Sequence, residues 1–315
     1  MWSSSTPQSP SFLGKHEFFI RRLHSLAGLV PVGAYLVIHL LVNSSIVNGA
    51  ATYQQAVYRI HSLGAFLPVV EWVFIFIPIL FHGLLGVALV WEGHYNTGTY
   101  RYGSNIRYTW QRITGVIAFL FIGWHVFHMH GWFHFEAWRV VVEYLRGANF
   151  RPYNAATSLA AAMGGLVVPT LYAIGTLSCV FHLANGIWTM GITWGVWISP
   201  AAQRRAARWC LAIGIGVAAM GLGALIGPRR VEIDESLGIE DALYQAKITS
   251  GELLAEEAEH KRWSPRERHE LQHREGQPAG NPGKLTRRDK RSARPNSAAG
   301  KRAKPSQETP ASPGG

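Results

Sequence analysis

Four histidines stand where histidine is expensive. His39 in AYLVIHLLV, His82 in PILFHGLLG, His125 in LFIGWHVF and His182 in SCVFHLANG each have apolar residues on both sides. An imidazole can offer one nitrogen to a metal while the other donates a hydrogen bond, and it titrates near neutrality. Inside hydrocarbon such a ring needs a partner, so each of the four points to a functional site or to an interhelical hydrogen bond. The two cysteines, Cys179 and Cys210, also lie in apolar stretches. They supply no disulfide framework, no C-x-x-C-H for covalent haem and no thiolate set for an iron–sulfur cluster. Any redox cofactor must therefore be held by histidine.

The elements that position these residues are long and apolar. From Gly164 to Gly191 there is no Asp, Glu, Lys or Arg, and about 20 such residues suffice to cross a bilayer. Five spans are expected: I from Leu23 to Val42, II from Val69 to Trp91, III from Ile113 to His130, IV from Leu166 to Gly191 and V from Ala206 to Gly227. Span I is longer than a signal-peptide core and lacks a small-residue cleavage site, so it reads as retained. Pro31, Pro78 and Pro169 fall within or near the starts of spans, where local kinks can absorb them.

Charge divides the chain. Residues 1–228 hold 13 Lys plus Arg against 5 Asp plus Glu, and residues 229–315 hold 17 against 14. The basic residues of the first part sit at span ends, so the net charge is no footprint for nucleic acid. With the N-terminus cytoplasmic, nine basic residues (Lys15, Arg21, Arg22, Arg101, Arg107, Arg112, Arg204, Arg205 and Arg208) lie inside. Four (Arg59, Arg139, Arg146 and Arg151) lie outside. The positive-inside rule favours that orientation in a cell inner membrane, and an odd number of spans puts the C-terminal tail outside.

Helix rise and alternating direction then set depth. His82 and His182, on inward-running spans, lie roughly 20 to 24 Å from the outer boundary, and His39 and His125, on outward-running spans, roughly 5 to 10 Å from it. Two pairs at two depths suit two bis-histidine haems in a dry four-helix interior. Gly83, Gly86, Gly123 and Gly186 are expected to make room beside the ligands. The carbonyls of Tyr35, Pro78, Phe121 and Ser178, four residues before each histidine, are expected to take the second ring nitrogen.

The segments FFIRRLHSLAGLVPVGAYLVIHLLVN, FHGLLGV, TWQRITGVIAFLFIGWHVFH and FHLANGIWTMGITWG resemble the dihaem cytochrome b membrane-anchor subunits of bacterial succinate dehydrogenase and fumarate reductase, over about residues 17 to 228. The resemblance implies two haem b groups, the inner one on His82 and His182 and the outer one on His39 and His125. It implies two partners, a flavoprotein that oxidises succinate and an iron–sulfur subunit, with a quinone, expected to be menaquinone, as electron acceptor. The chain itself has no nucleophile, nucleotide loop or flavin motif for acting on succinate.

Other residues carry two readings. Arg22, His24, Ser25 and Arg112, at the cytoplasmic ends of spans, pair with inner haem propionates or face the iron–sulfur subunit; a plain positive-inside role is the alternative. Tyr58, His61, Glu71 and His128 lie near the outer pair and could supply the protons that quinone reduction needs, or be ordinary interfacial groups. His125, His128, His130 and His134 superficially resemble a histidine box of a membrane di-iron oxygenase, but the other mid-span histidines stand singly. The anchor of a quinone-linked hydrogenase or formate dehydrogenase would use the same physics, and RRLHS, QRITG and FHLANG are what discriminate. A haem-free anchor would lack a haem spectrum.

The expected fold is all-α: an N-terminal cytoplasmic segment (1–19), a five-span bundle (20–228) with haem sites between spans I to IV, and a charged tail (229–315). The tail begins with residues fit for one or two short helices and, from about Ser264 onward, lacks the apolar surface to fold alone.

Overall fold

The computed structural model describes residues 12–93, 97–100, 102–133, 135–254 and 258–275. The expectations for residues 1–11, for His134 and for the tail beyond 275 lie outside the described residues. Among those described there are helices and turns but no strand. Five helices are long and apolar enough to cross a membrane: span I is His16–Asn48, II Gly64–Trp91, III Gly103–Met129, IV Val167–Thr193 and V Pro200–Arg230. Span III begins ten residues before the expected Ile113. Its polar first turns, GSNIRYTWQR, are helical but not apolar, and hydropathy marks only the part of a helix that meets hydrocarbon. Span V likewise starts early, because Pro200 suits a first helical position and Ser199 Oγ accepts from the amide of Ala202 at 3.2 Å.

The prolines leave a visible mark. Span I widens to a π-helix over Gly28–Gly33, around Pro31, and span II does so over Trp72–Phe76, just before Pro78. A proline cannot donate to the carbonyl four residues back and its ring crowds that carbonyl, so the turn opens. Both widened turns lie shortly before a histidine of interest, His39 and His82.

Spans I to IV surround an interior. The first half of span I packs on II, II on III and III on IV, while V lies outside, against IV and the second half of I. Small residues permit the close approaches: a Cβ on Gly221 of span V would come within 2.7 Å of Thr176 Cγ2 on span IV.

A cap of shorter helices covers one end. Gly49, at φ +102°, lets the chain leave span I and turn directly into α1 (Ala50–His61). Between spans III and IV lie α2 (Glu136–Tyr144) and α3 (Ala155–Ala162), and beyond span V lie α4 (Ile233–Thr249) and α5 (Pro265–Glu275). α4 packs on α1 and α3, so it sits on the same end as the I–II and III–IV connections. Helix continues past the expected limit at Ser264. Ser264 and Glu267 form a reciprocal capping box, with Ser264 N donating to Glu267 Oε2 at 2.8 Å and Glu267 N donating to Ser264 Oγ at 3.3 Å.

Candidate functional site

The interior brings the four histidines together in twos. The His82 and His182 rings face one another across spans II and IV with centroids 6.0 Å apart and planes 80° apart. The His39 and His125 rings do the same across spans I and III at 5.7 Å and 78°. With metal–imidazole bonds of about 2 Å, two rings on opposite sides of one metal have centroids roughly 6 Å apart. Both pairs line one continuous cavity of about 3010 Å³. That is about three times the roughly 1,000 Å³ upper end of an ordinary small-molecule site.

Each ring's second nitrogen is held, but not by the carbonyl four residues earlier. His82 Nδ1–H donates to the carbonyl of His24 at 2.9 Å, and His24 Nε2–H returns a bond to the carbonyl of His82 at 3.1 Å. The two rings stack at 4.1 Å and 7°. His182 Nδ1–H donates to the carbonyl of Gln111 at 3.0 Å, and the Gln111 amide donates to the carbonyl of His182 at 3.1 Å. A carbonyl can only accept, so these bonds put the proton on Nδ1 and leave an Nε2 lone pair for another partner. At the other pair the partners are hydroxyls: Tyr35 at 3.4 Å from His39 Nδ1, and Tyr172 at 3.2 Å from His125 Nδ1. The expected i−4 carbonyls are replaced throughout, because a ring aimed at the bundle interior turns away from its own backbone and meets groups projecting from neighbours.

Two further glycines lie against these rings. A Cβ on Gly28 would lie 2.2 Å from His82 Cε1, and one on Gly115 would lie 2.8 Å from His182 Cε1. The rings rest on bare backbone of the facing helix. The glycines expected to make room beside the ligands, Gly83, Gly86, Gly123 and Gly186, all line the cavity; Gly83 also accommodates Phe119, Gly86 lies against His24, Gly186 against Gln111, and Gly123 faces open space.

Among curated proteins, the chain is similar to the succinate dehydrogenase cytochrome b558 subunit of Bacillus subtilis (strain 168). The two are 34% identical over 212 residues, which is 67% of this chain and 97% of the relative. This chain belongs to the succinate dehydrogenase cytochrome b subunits. No protein-family model matches it. Membership and the five apolar helices make it a multi-pass membrane subunit of the electron-transport chain.

In this cytochrome b subunit the remaining candidate residues fall at the two ends of the cavity. At the end away from the cap, Arg22 lines the cavity with its Nη1 buried and without a hydrogen-bond partner. Its guanidinium lies over the Phe18 and Trp194 rings, at 4.9 and 5.4 Å. Ser25 donates to the carbonyl of Arg22 and accepts from Trp194 Nε1. Arg112 lies over Tyr108 at 4.2 Å and reaches the carbonyl of Val90 at 3.4 Å. His24, considered for a propionate, is spent on His82.

At the cap end, His61 and Glu71 line the cavity. Burial, and then the charge of Lys261, lower the His61 pKa to about 4, so its ring is neutral at neutral pH. Tyr58 turns instead into a cluster with Tyr153, Tyr244 and Ala258 under the tail. His128 shares the Tyr172 hydroxyl with His125, at 2.8 Å. Among the described residues no three His, Cys, Asp or Glu side chains converge as a multidentate metal site. Gln111, Tyr172, Gly28 and Gly115 were absent from the expected set. Each acts on a histidine of another span, and no sequence periodicity announces that.

Proposed function

We propose that this subunit anchors a succinate:quinone oxidoreductase and carries two haem b groups, one between His82 and His182 and one between His39 and His125. The observation that carries this reading is the pair of facing imidazoles at each site, about one metal-bridged spacing apart, with Nδ1 of His82 and His182 already bonded to a carbonyl. The residues fit the group: glycine backbone at Gly28 and Gly115 seats the rings, and Arg22, whose Nη1 is buried without a hydrogen-bond partner, lines the cavity and would neutralise a propionate there. Bound there, haem supplies a one-electron carrier, whose potential the protein tunes through ligands, hydrogen bonds and burial.

The chain's own residues do the rest. The reciprocal bonds between His24 and His82, and between Gln111 and His182, fix tautomer and orientation at one site. Tyr35 and Tyr172 hold the rings of the other. The arginine-rich end, with the N-terminus, faces the cytoplasm and meets an iron–sulfur subunit that is itself joined to a flavoprotein. The cap end faces outward, and a membrane quinone is reduced there, near His61 and Glu71.

The test is haem quantification with a reduced-minus-oxidised spectrum of the complex purified through this chain. Two noncovalent haem b per chain, with flavin and iron–sulfur subunits retained, are expected; one haem, or co-purifying hydrogenase subunits, would defeat the reading.

A further inference from the structure

The described part of the tail that follows span V lines the cap end of the cavity. Glu240 of α4 is fully buried and accepts four bonds at the start of α3: from the amides of Ala156 and Thr157, from Asn154 Nδ2 and from Thr157 Oγ1. Asn154 also accepts from the amide of Trp263 at 3.0 Å, and Trp263 Nε1 donates to Thr157 Oγ1 at 2.9 Å. Arg262 and Arg268 both pair with Asp241, and Arg151 pairs with Glu267 at 2.9 Å. These pins hold the bend between α4 and α5 against the connection from span III to span IV.

Lys261 is placed by its neighbours in that bend. It lines the same cavity as His61, Leu67, Pro68 and Glu71. It is half-buried, it forms no ion pair among the described residues, and it lies within electrostatic reach of both His61 and Glu71. The other tail lysine among the described residues, Lys247, is spent on Glu252.

We propose that the C-terminal segment forms one wall of the quinone site at the cap end, with Lys261 donating to a ring carbonyl oxygen. The proposal rests on the reading above that a quinone is reduced at this end. A quinone head is flat and apolar with two carbonyl oxygens, which suits a cavity lined by Leu67, Pro68 and Trp72 together with the Lys261 ammonium. Reduction adds two electrons, supplied by succinate oxidation in the complex, and two protons from water at that face, converting both C=O groups to C–OH. Lys261 keeps its proton and stabilises the oxygen as charge develops on it. His61 and Glu71 lie on the path by which protons reach the two oxygens.

The experiment uses the intact complex with Lys261→Met, Lys261→Arg and, as a control, Lys247→Met. KM for a short-chain water-soluble quinone is measured, with rates normalised to succinate-dependent dye reduction, and equilibrium quinone binding is followed by tryptophan quenching. Lys261→Met is expected to weaken binding and raise KM about tenfold, the worth of one charge-assisted hydrogen bond, with Lys261→Arg within about threefold of wild type and Lys247→Met unchanged. Asn154→Ala, which unpins the bend, is expected to raise KM as well. If wild type reduces the quinone and Lys261→Met binds it equally well, the proposal fails. If wild type reduces no quinone, the underlying reading fails instead.

Discussion

A histidine whose Nδ1–H is committed to a carbonyl has a single direction left in which to act, along the Nε2 lone pair. His82 and His182 are both in that state, facing one another. Replacement of either should therefore remove the same haem component, while replacement of His39 or His125 removes the other. A redox titration of the four single alanine variants checks this, and the pairing is wrong if His82→Ala and His125→Ala abolish one component while His182→Ala abolishes another. A methyl group at Gly28 would overlap the His82 ring. Gly28→Ala should accordingly shift or abolish only the component lost in His82→Ala, whereas Gly98→Ala, which meets nothing within 4 Å, leaves both spectra intact.

Elements here are joined by buried polar contacts, and the docking of α4 on α3 is the clearest. Burial raises the pKa of Glu240 while its four donors oppose the shift. An acid with a raised folded pKa binds more protons folded than unfolded between its ordinary value and the raised one. Docking of the segment should thus be firmest below that window and weaken as pH rises through it. Limited proteolysis of the tail between about pH 4 and 8 reads this out. Glu240→Gln should flatten the dependence, and it should cost about 1–3 kcal/mol because the amide nitrogen would face two donors. At the start of α5, Ser264→Ala removes the capping box and should cost about 1 kcal/mol, read as faster cleavage near Pro265–Glu275 without change at α4.

For the molecule as a whole, the cap fixes which connections share a side. Ser62, between spans I and II, and Ser250, after α4, lie at the cap end, while Thr99 lies in the connection between spans II and III. Both native cysteines are buried, so introduced thiols can be read against a low background. With the proposed orientation, a membrane-impermeant reagent outside intact cells should label Ser62→Cys and Ser250→Cys and spare Thr99→Cys. Labelling of Thr99→Cys alone would invert the topology. Labelling of only one of the other two would contradict the packing of α4 on α1.

The sequence by itself determined what is local: five apolar runs, the four histidines within them, and the separation of a basic membrane part from a mixed-charge tail. Even the helix after Ser264 was legible as S-P-R-E, a cap residue, a first-turn proline and a third-position acid, although its weak apolar content pointed to disorder. Only the tertiary structure decided which groups hold the rings. The His24 and Gln111 carbonyls, the Tyr172 hydroxyl and the Gly28 and Gly115 backbones come from facing helices. It also decided that Glu240 reaches Asn154 and Thr157 across more than 80 residues and so brings Lys261 to the cavity mouth. Periodicity and composition report how a segment meets its solvent; they carry no record of which distant backbone fills the space in front of a side chain, and that is settled when the helices pack.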